Sequence, residues 1–154
     1  MAEFSASIEW RRGTPDFAYE TYERGHTWSF GAGLAVPAGA APANVPATAP
    51  QAAGVDPEQA FVAALSSCHM LWFLHLACRA GLVVDRYLDE ARGTLARDAQ
   101  GRMAMTRVVL RPAVAFCGVP PDEERFARLH REAHEHCFIA NSVRTELTLE
   151  PRIA

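Results

Sequence analysis

Along the first residues of the chain, Phe4, Ala6, Ile8 and Trp10 alternate with Ser5, Ser7 and Glu9, the two-residue period of a half-buried strand. Gly13-Thr14-Pro15-Asp16 reads as a turn, and Phe17 to Glu23 predicts a returning strand. After Gly25, Thr27 to Val36 gives a third strand with Trp28 and Phe30 on one face. Residues 37–55 are almost wholly Ala, Pro, Gly, Asn, Thr, Gln and Val, with prolines at 37, 42, 46 and 50. Such a stretch favours neither a helix nor an interior strand, and a long covering loop or linker is expected.

Asp56-Pro57-Glu58-Gln59 carries the marks of a helix start: an Asp N-cap, Pro in the first turn, an early acid and a capping-box Gln. The helix should run to Arg79 or Ala80, with Gly81 as the residue past its end. Phe61, Leu65, Cys68 and Trp72 share its apolar face. From Ala60 to Cys78 no residue carries a formal charge, a run of 19. That passes the length test for a membrane span. Two serines, two histidines and amphipathic sequence on both sides favour instead the central helix of a globular protein, covered on every side and partly by a second subunit.

Tyr87 to Arg97 and Arg102 to Phe116 flank Asp98-Ala99-Gln100-Gly101, a hairpin turn. Pro120-Pro121-Asp122-Glu123-Glu124 opens a second helix, with acids in its first turn. Phe126, Leu129, Ala133 and Cys137 make its apolar face, Asn141-Ser142 breaks it, and Val143 to Leu149 alternates as a last strand. Three strands, a long helix, two strands, a helix and a strand specify an α+β fold with a largely antiparallel sheet. We read residues 1–154 as a single domain: N-terminal strands over 1–36, the Pro/Ala-rich loop over 37–55 and a helix-hairpin-helix-strand core over 56–154.

The formal net charge of -3 gives no electrostatic case for nucleic acid or an anionic membrane as partner. All 15 basic residues are arginines, so Schiff-base and lysine-base chemistry are excluded. Met1 to Trp10 has neither a basic start nor a continuous apolar run, so no signal peptide is read there and a cytoplasmic protein is expected.

The four cysteines, Cys68, Cys78, Cys117 and Cys137, contain no CxxC pair. Reduced thiols in such a compartment are buried filler, metal ligands or redox-active groups. Cys68 and Cys137 both point inward from their helices and could form a disulfide if their Cα atoms come within about 7 Å. Cys78 and Cys117 read as core residues. The same atoms have a competing use: His130, His134 and Cys137 share a helix face, and Cys68 or His69 could complete a tetrahedral zinc set. His134 and His136 cannot face one ion from a regular helix.

Asp56-Pro57-Glu58 opening a long helix, a cysteine ten residues past the Glu, and Ala133-His134-x-x-Cys137 late in the chain resemble the OsmC/Ohr family of osmotically inducible and organic-hydroperoxide-resistance proteins. The resemblance covers roughly residues 19 to 150. It implies an intertwined α+β homodimer with two sites at the subunit interface, and thiol-dependent reduction of organic hydroperoxides, with hydrogen peroxide as a second substrate, in an antioxidant stress response. By the same resemblance Cys68 matches the peroxidatic cysteine, Cys137 the resolving cysteine and Glu58 the active-site glutamate. Arg24 is matched to the family's N-terminal arginine, with Arg11 and Arg12 as alternatives. An external dithiol would close the cycle, with no cofactor and no metal. Many members continue from the second cysteine as Cys-Pro-x-Ser, whereas this chain reads Cys137-Phe138-Ile139-Ala140.

The implied chemistry is physically coherent. A thiolate attacks the peroxide O–O bond, and a permanently charged arginine beside a buried cysteine favours that thiolate while its forked donors hold a peroxide oxygen. The competing reading is a non-enzymatic protein of the same fold that holds an apolar ligand between its subunits. Ten residues of helix separate Glu58 from Cys68 by about 15 Å of rise and roughly 80° of rotation. If Glu58 serves the site of Cys68, it must therefore come from the other subunit.

Overall fold

The computed structural model describes residues 1–154, which divide into two compact units, Met1–Ala60 and Phe61–Ala154. In the first unit, β1 (Ser7–Glu9), β2 (His26–Ser29) and β3 (Ala35–Ala38) form an antiparallel sheet in that order. The strand expected over Phe17 to Glu23 is a turn instead: the amides of Thr21 and Tyr22 both donate to the Ala18 carbonyl. Its aromatic residues serve a local cluster, in which Phe17 lies 5.6 Å from Trp10 and 5.1 Å from Tyr22. The single strand expected over Thr27 to Val36 is a hairpin. A short 3-10 turn at Gly31–Gly33 reverses the chain, with Ala32 and Gly33 at positive φ.

The loop after β3 returns to the sheet through a parallel bridge between Val55 and Ala38. Gly54 makes this possible, because a Cβ there would stand 2.6 Å from the Pro37 carbonyl oxygen. The expected capping box closes the loop: Asp56 accepts from the Gln59 amide at 2.7 Å, and the Gln59 side chain accepts from the Asp56 amide at 3.4 Å. Helix α1 then runs unbroken over Pro57–Arg79, and Gly81 at φ +73 ends it as expected.

The second unit contains β4 (Val84–Asp89), β5 (Arg92–Arg97), β6 (Met103–Leu110), β7 (Pro112–Phe116), α2 (Glu123–His136), β8 (Glu146–Leu149) and β9 (Arg152–Ile153). Each long strand expected around the Asp98–Gly101 turn is split, so four strands stand where two were expected. Asp89 fastens the division. Its carboxylate accepts from the Arg111 amide at 2.6 Å, between β6 and β7, and from the Ser66 hydroxyl of α1. The antiparallel pairs β4–β7 and β5–β6 are extended by β8 and β9, each added in parallel.

Leu65, His69, Phe73 and Ala77 form the buried face of α1, one residue per turn. Phe73 and Ala77 pack with Val114 and with Phe126, Leu129 and Ala133 of α2, while Leu65 packs with Val108 and Leu110. The α1 core line therefore lies beside the Phe61, Leu65, Cys68, Trp72 line expected for it, with His69 near its middle. The apolar face of α2 is as expected, with His130 added. Cys78 and Cys117 are exposed rather than core residues: one lies on the side of α1 away from the buried line, and the other follows the end of β7.

Gly54→Ala forces a shift of backbone rather than of a side-chain tip, and should cost about 1–3 kcal/mol. Gly31→Ala, where a Cβ meets nothing within 4 Å, should stay within about 0.5 kcal/mol of the parent. Urea unfolding followed by tryptophan fluorescence distinguishes the two.

Candidate active site

Asp122 sets the start of α2 by accepting from the Arg125 amide at 2.8 Å. The helix ends at Cys137, whose amide donates to the His134 carbonyl at 3.2 Å. A Phe138-Ile139-Ala140 turn then folds back, and the Ala140 amide points at the Cys137 sulfur from 3.4 Å. The fully buried Cys137 thiol is thereby brought close enough to Cys68 on α1 for the two to influence each other, and both thiols are free. Burial pushes the Cys137 thiol up, and the hydrogen bond with Cys68 raises it further, against a smaller opposing effect of the Ala140 amide. Of the sequence-derived candidates, Cys68 and Cys137 are the pair that the second unit brings together.

Aromatic side chains flank the thiols. Trp72, one turn after Cys68, stacks on His136 with ring centres 5.0 Å apart and meets the Phe138 ring edge-on at 5.5 Å. Phe138 is 68% exposed, so an apolar wall next to the thiol turn faces outward. A shallow cavity of about 240 Å³ lies among Leu71, Trp72 and His75. Helical phase alone assigns Trp72 to the core of α1, and no periodicity marks Phe138, because its placement depends on the turn that ends α2.

The histidines do not form the zinc set considered above. His69 Nε2 and His130 Nδ1 hydrogen-bond to each other at 3.0 Å, with the rings nearly parallel at 8°. No group of three His, Cys, Asp or Glu side chains is arranged to hold a metal ion. Both rings are buried, and His130 also stacks on Phe73 at 4.2 Å. Burial, assisted by His134, pushes His69 down to about 4, and burial with the neighbouring His69 pushes His130 down to about 3.

Glu58 and Arg24 belong to the first unit. The Glu58 carboxylate accepts from the Asn44 side chain at 2.9 Å. Arg24, just before β2, is buried and donates to the carbonyls of Tyr22 at 3.0 Å and Tyr19 at 2.7 Å. Its guanidinium lies 3.9 Å from the centre of the Tyr22 ring. No carboxylate is paired with it among its hydrogen bonds. Arg11 pairs with Glu9 at the surface, and Arg12 donates to the Pro15 carbonyl. Arg24 is thus the buried one of the three candidate arginines.

The sequence model of the OsmC-like protein family matches residues 50–152. Among solved structures, an OsmC-like protein of unknown function from Vibrio cholerae is 45% identical with a TM-score of 0.90, over 100% of both chains. An organic hydroperoxide resistance protein of Bacillus subtilis superposes with a TM-score of 0.62 at 22% identity, over 98% of each chain. One from Elizabethkingia anophelis has a TM-score of 0.64 at 15% identity, over 100% of this chain and 96% of its own. No curated protein matches the chain.

The histidine pair has a consequence for stability. Both rings fold neutral with their pKa values held below the ordinary 6.5, so unfolding takes up protons below about pH 6.5. Stability should be full above that pH. It should fall as the pH drops toward about 4, by up to about 1.4 kcal/mol per pH unit for each histidine. Urea midpoints measured from pH 7.5 to 4.5 should show this slope in the parent protein and a shallower one in H69Q/H130N. Equal slopes would remove the histidines from the acid response.

Proposed function

The chain belongs to the OsmC-like family, and on that premise we propose that it is a cysteine-based peroxidase that reduces organic hydroperoxides. The observation that carries this reading is the proximity of two free thiols, Cys68 on α1 and the buried Cys137 that ends α2. Two neighbouring reduced thiols, one half-buried and one fully buried, suit a cycle in which one attacks and the other resolves. The distant structural relatives named as organic hydroperoxide resistance proteins are consistent with it.

In this reading the Cys68 thiolate attacks the terminal oxygen of ROOH. The O–O bond breaks, an S–O bond forms, and with one proton the products are a sulfenic acid and ROH. Cys137 then attacks the sulfenic sulfur, giving a disulfide and expelling water as its thiol proton joins the leaving hydroxide. An external dithiol returns both thiols and is itself oxidised to a disulfide. Cys68 is the attacking group because it is the less buried of the two, while burial pushes the Cys137 thiol up. The exposed Phe138 ring beside the half-buried Trp72 would favour an apolar R group over the hydrogen of hydrogen peroxide.

We further propose that the working unit is a homodimer. Along α1, Ala63, Ala64, Ser67, Leu71, His75 and Cys78 form an exposed strip without formal charge, and Leu71 is 60% exposed. A second copy of the chain is the proposed cover. Glu58 and Arg24 would then act on the Cys68 of the partner: the arginine favours the thiolate and holds a peroxide oxygen, and the glutamate orients the arginine.

Cys68→Ser should abolish consumption of cumene hydroperoxide. Cys137→Ser should react once and stop at the sulfenic or an over-oxidised acid, visible by mass spectrometry. Full turnover in both variants contradicts the two-cysteine cycle. The shared site is tested by subunit exchange. In heterodimers of Glu58→Ala and Cys68→Ser chains, one site carries both lesions and the other neither. Mixing two inactive homodimers should thus restore about half the parent activity per heterodimer, whereas sites built within one chain would stay silent.

A further inference from the structure

Helices α1 and α2 meet through contacts of two kinds. Most are apolar and without direction: Phe73 against Phe126 with ring centres 6.0 Å apart, and Ala77 and Ala133 within the same cluster. Contacts of this kind bring helices together but tolerate small slides along each other. Besides the thiol pair itself, two polar links across the helix pair are directional. Near the start of α2, Arg125 donates to the Ala80 carbonyl at 2.7 Å, through a long and part-buried side chain. The other is His69 Nε2 to His130 Nδ1 at 3.0 Å, and it is the one side-chain hydrogen bond of the protein that is wholly buried.

Position gives this pair its leverage. His69 follows Cys68 directly on α1. His130 stands seven residues before Cys137 on the same face of α2, about two helical turns away. A residue-sized slide of either helix is about 1.5 Å, enough to separate the neighbouring thiols. We propose that the His69–His130 hydrogen bond is a positioning device that sets the register of α1 against α2 at which the Cys68 and Cys137 sulfurs meet. Two neutral imidazoles can make this bond in either tautomeric sense, one donating and the other accepting, so it persists without fixing a charge in the core. The flanking Phe73 and Phe126 rings, at 4.2 and 4.7 Å from His130, exclude water from it. The inference deepens the thiol-peroxidase reading and rests on the same cysteine pair.

The test uses no peroxide. In a Cys78→Ser/Cys117→Ser background, purified protein is equilibrated with oxidised and reduced glutathione. The reaction takes two protein thiols and one glutathione disulfide to the Cys68–Cys137 disulfide and two glutathione thiols, and its equilibrium gives the effective concentration of one thiol for the other. Glutamine carries an amide nitrogen where histidine has Nε2, and asparagine an amide oxygen where histidine has Nδ1. H69Q/H130N should therefore keep the bond and stay within about threefold of the parent, whereas H69L/H130L should fall about tenfold while remaining folded by circular dichroism, the ratio expected for one net hydrogen bond.

H69N/H130Q has the same amide groups displaced by one methylene. It should also fall, and it decides the matter if the leucine pair does not fold. Equal effective concentrations in H69Q/H130N and H69N/H130Q, or an unchanged value in a folded H69L/H130L, would overturn the proposal. Peroxide inertness in a protein with the parent's effective concentration would count against the peroxidase reading alone.

Discussion

Within the second unit, the structure depends on covering a helix that carries no formal charge from Ala60 to Cys78. Helix α1 does this with one residue per turn, Leu65, His69, Phe73 and Ala77, and the middle of that line is a histidine. A lone imidazole buried on that line would carry two unmet ring nitrogens in an apolar core. A second imidazole from α2, nearly parallel and hydrogen-bonded to the first, satisfies one nitrogen of each ring, while His69 Nδ1 and His130 Nε2 remain without partners. With that bond made, the α1–α2 contact gains a directional element, and the two helices present Cys68 and Cys137 to each other at one end of it.

The sequence was legible where local chemistry decides the structure. The Asp56–Gln59 capping box, the Asp98–Gly101 turn and the apolar face of α2 are specified by neighbouring residues, and each is found as expected. It was less legible where an aromatic run serves a local cluster. Phe17 to Glu23 looks like a strand by residue type, yet Tyr19 and Tyr22 are there to take the Arg24 guanidinium through carbonyls and ring faces. Divisions within strands escape a local reading for another reason: the break between β6 and β7 is fixed by Asp89, 22 residues away, and no local period records it.

The candidate site divides along the same line. Cys68 and Cys137 stand out through helical phase together with the family resemblance, and the structure brings the two free thiols near each other. His69 enters from sequence only as a conceivable zinc ligand, because a histidine inside an apolar run has no signature until its partner is known. Its partner lies 61 residues on. Phe138 takes its place from the turn that follows Cys137 at the end of α2, and it helps Trp72 give the thiol end of α2 an apolar wall.

The central claim is that the Cys68–Cys137 contact is a reaction centre rather than a packing detail. The most direct measurement is the titration of the reduced protein with one equivalent of cumene hydroperoxide, followed by intact-mass and peptide mass spectrometry. The account predicts a protein lighter by two hydrogens, a single Cys68–Cys137 disulfide, and unmodified thiols at Cys78 and Cys117. Unchanged mass, or oxidation confined to the exposed Cys78 and Cys117, would contradict it.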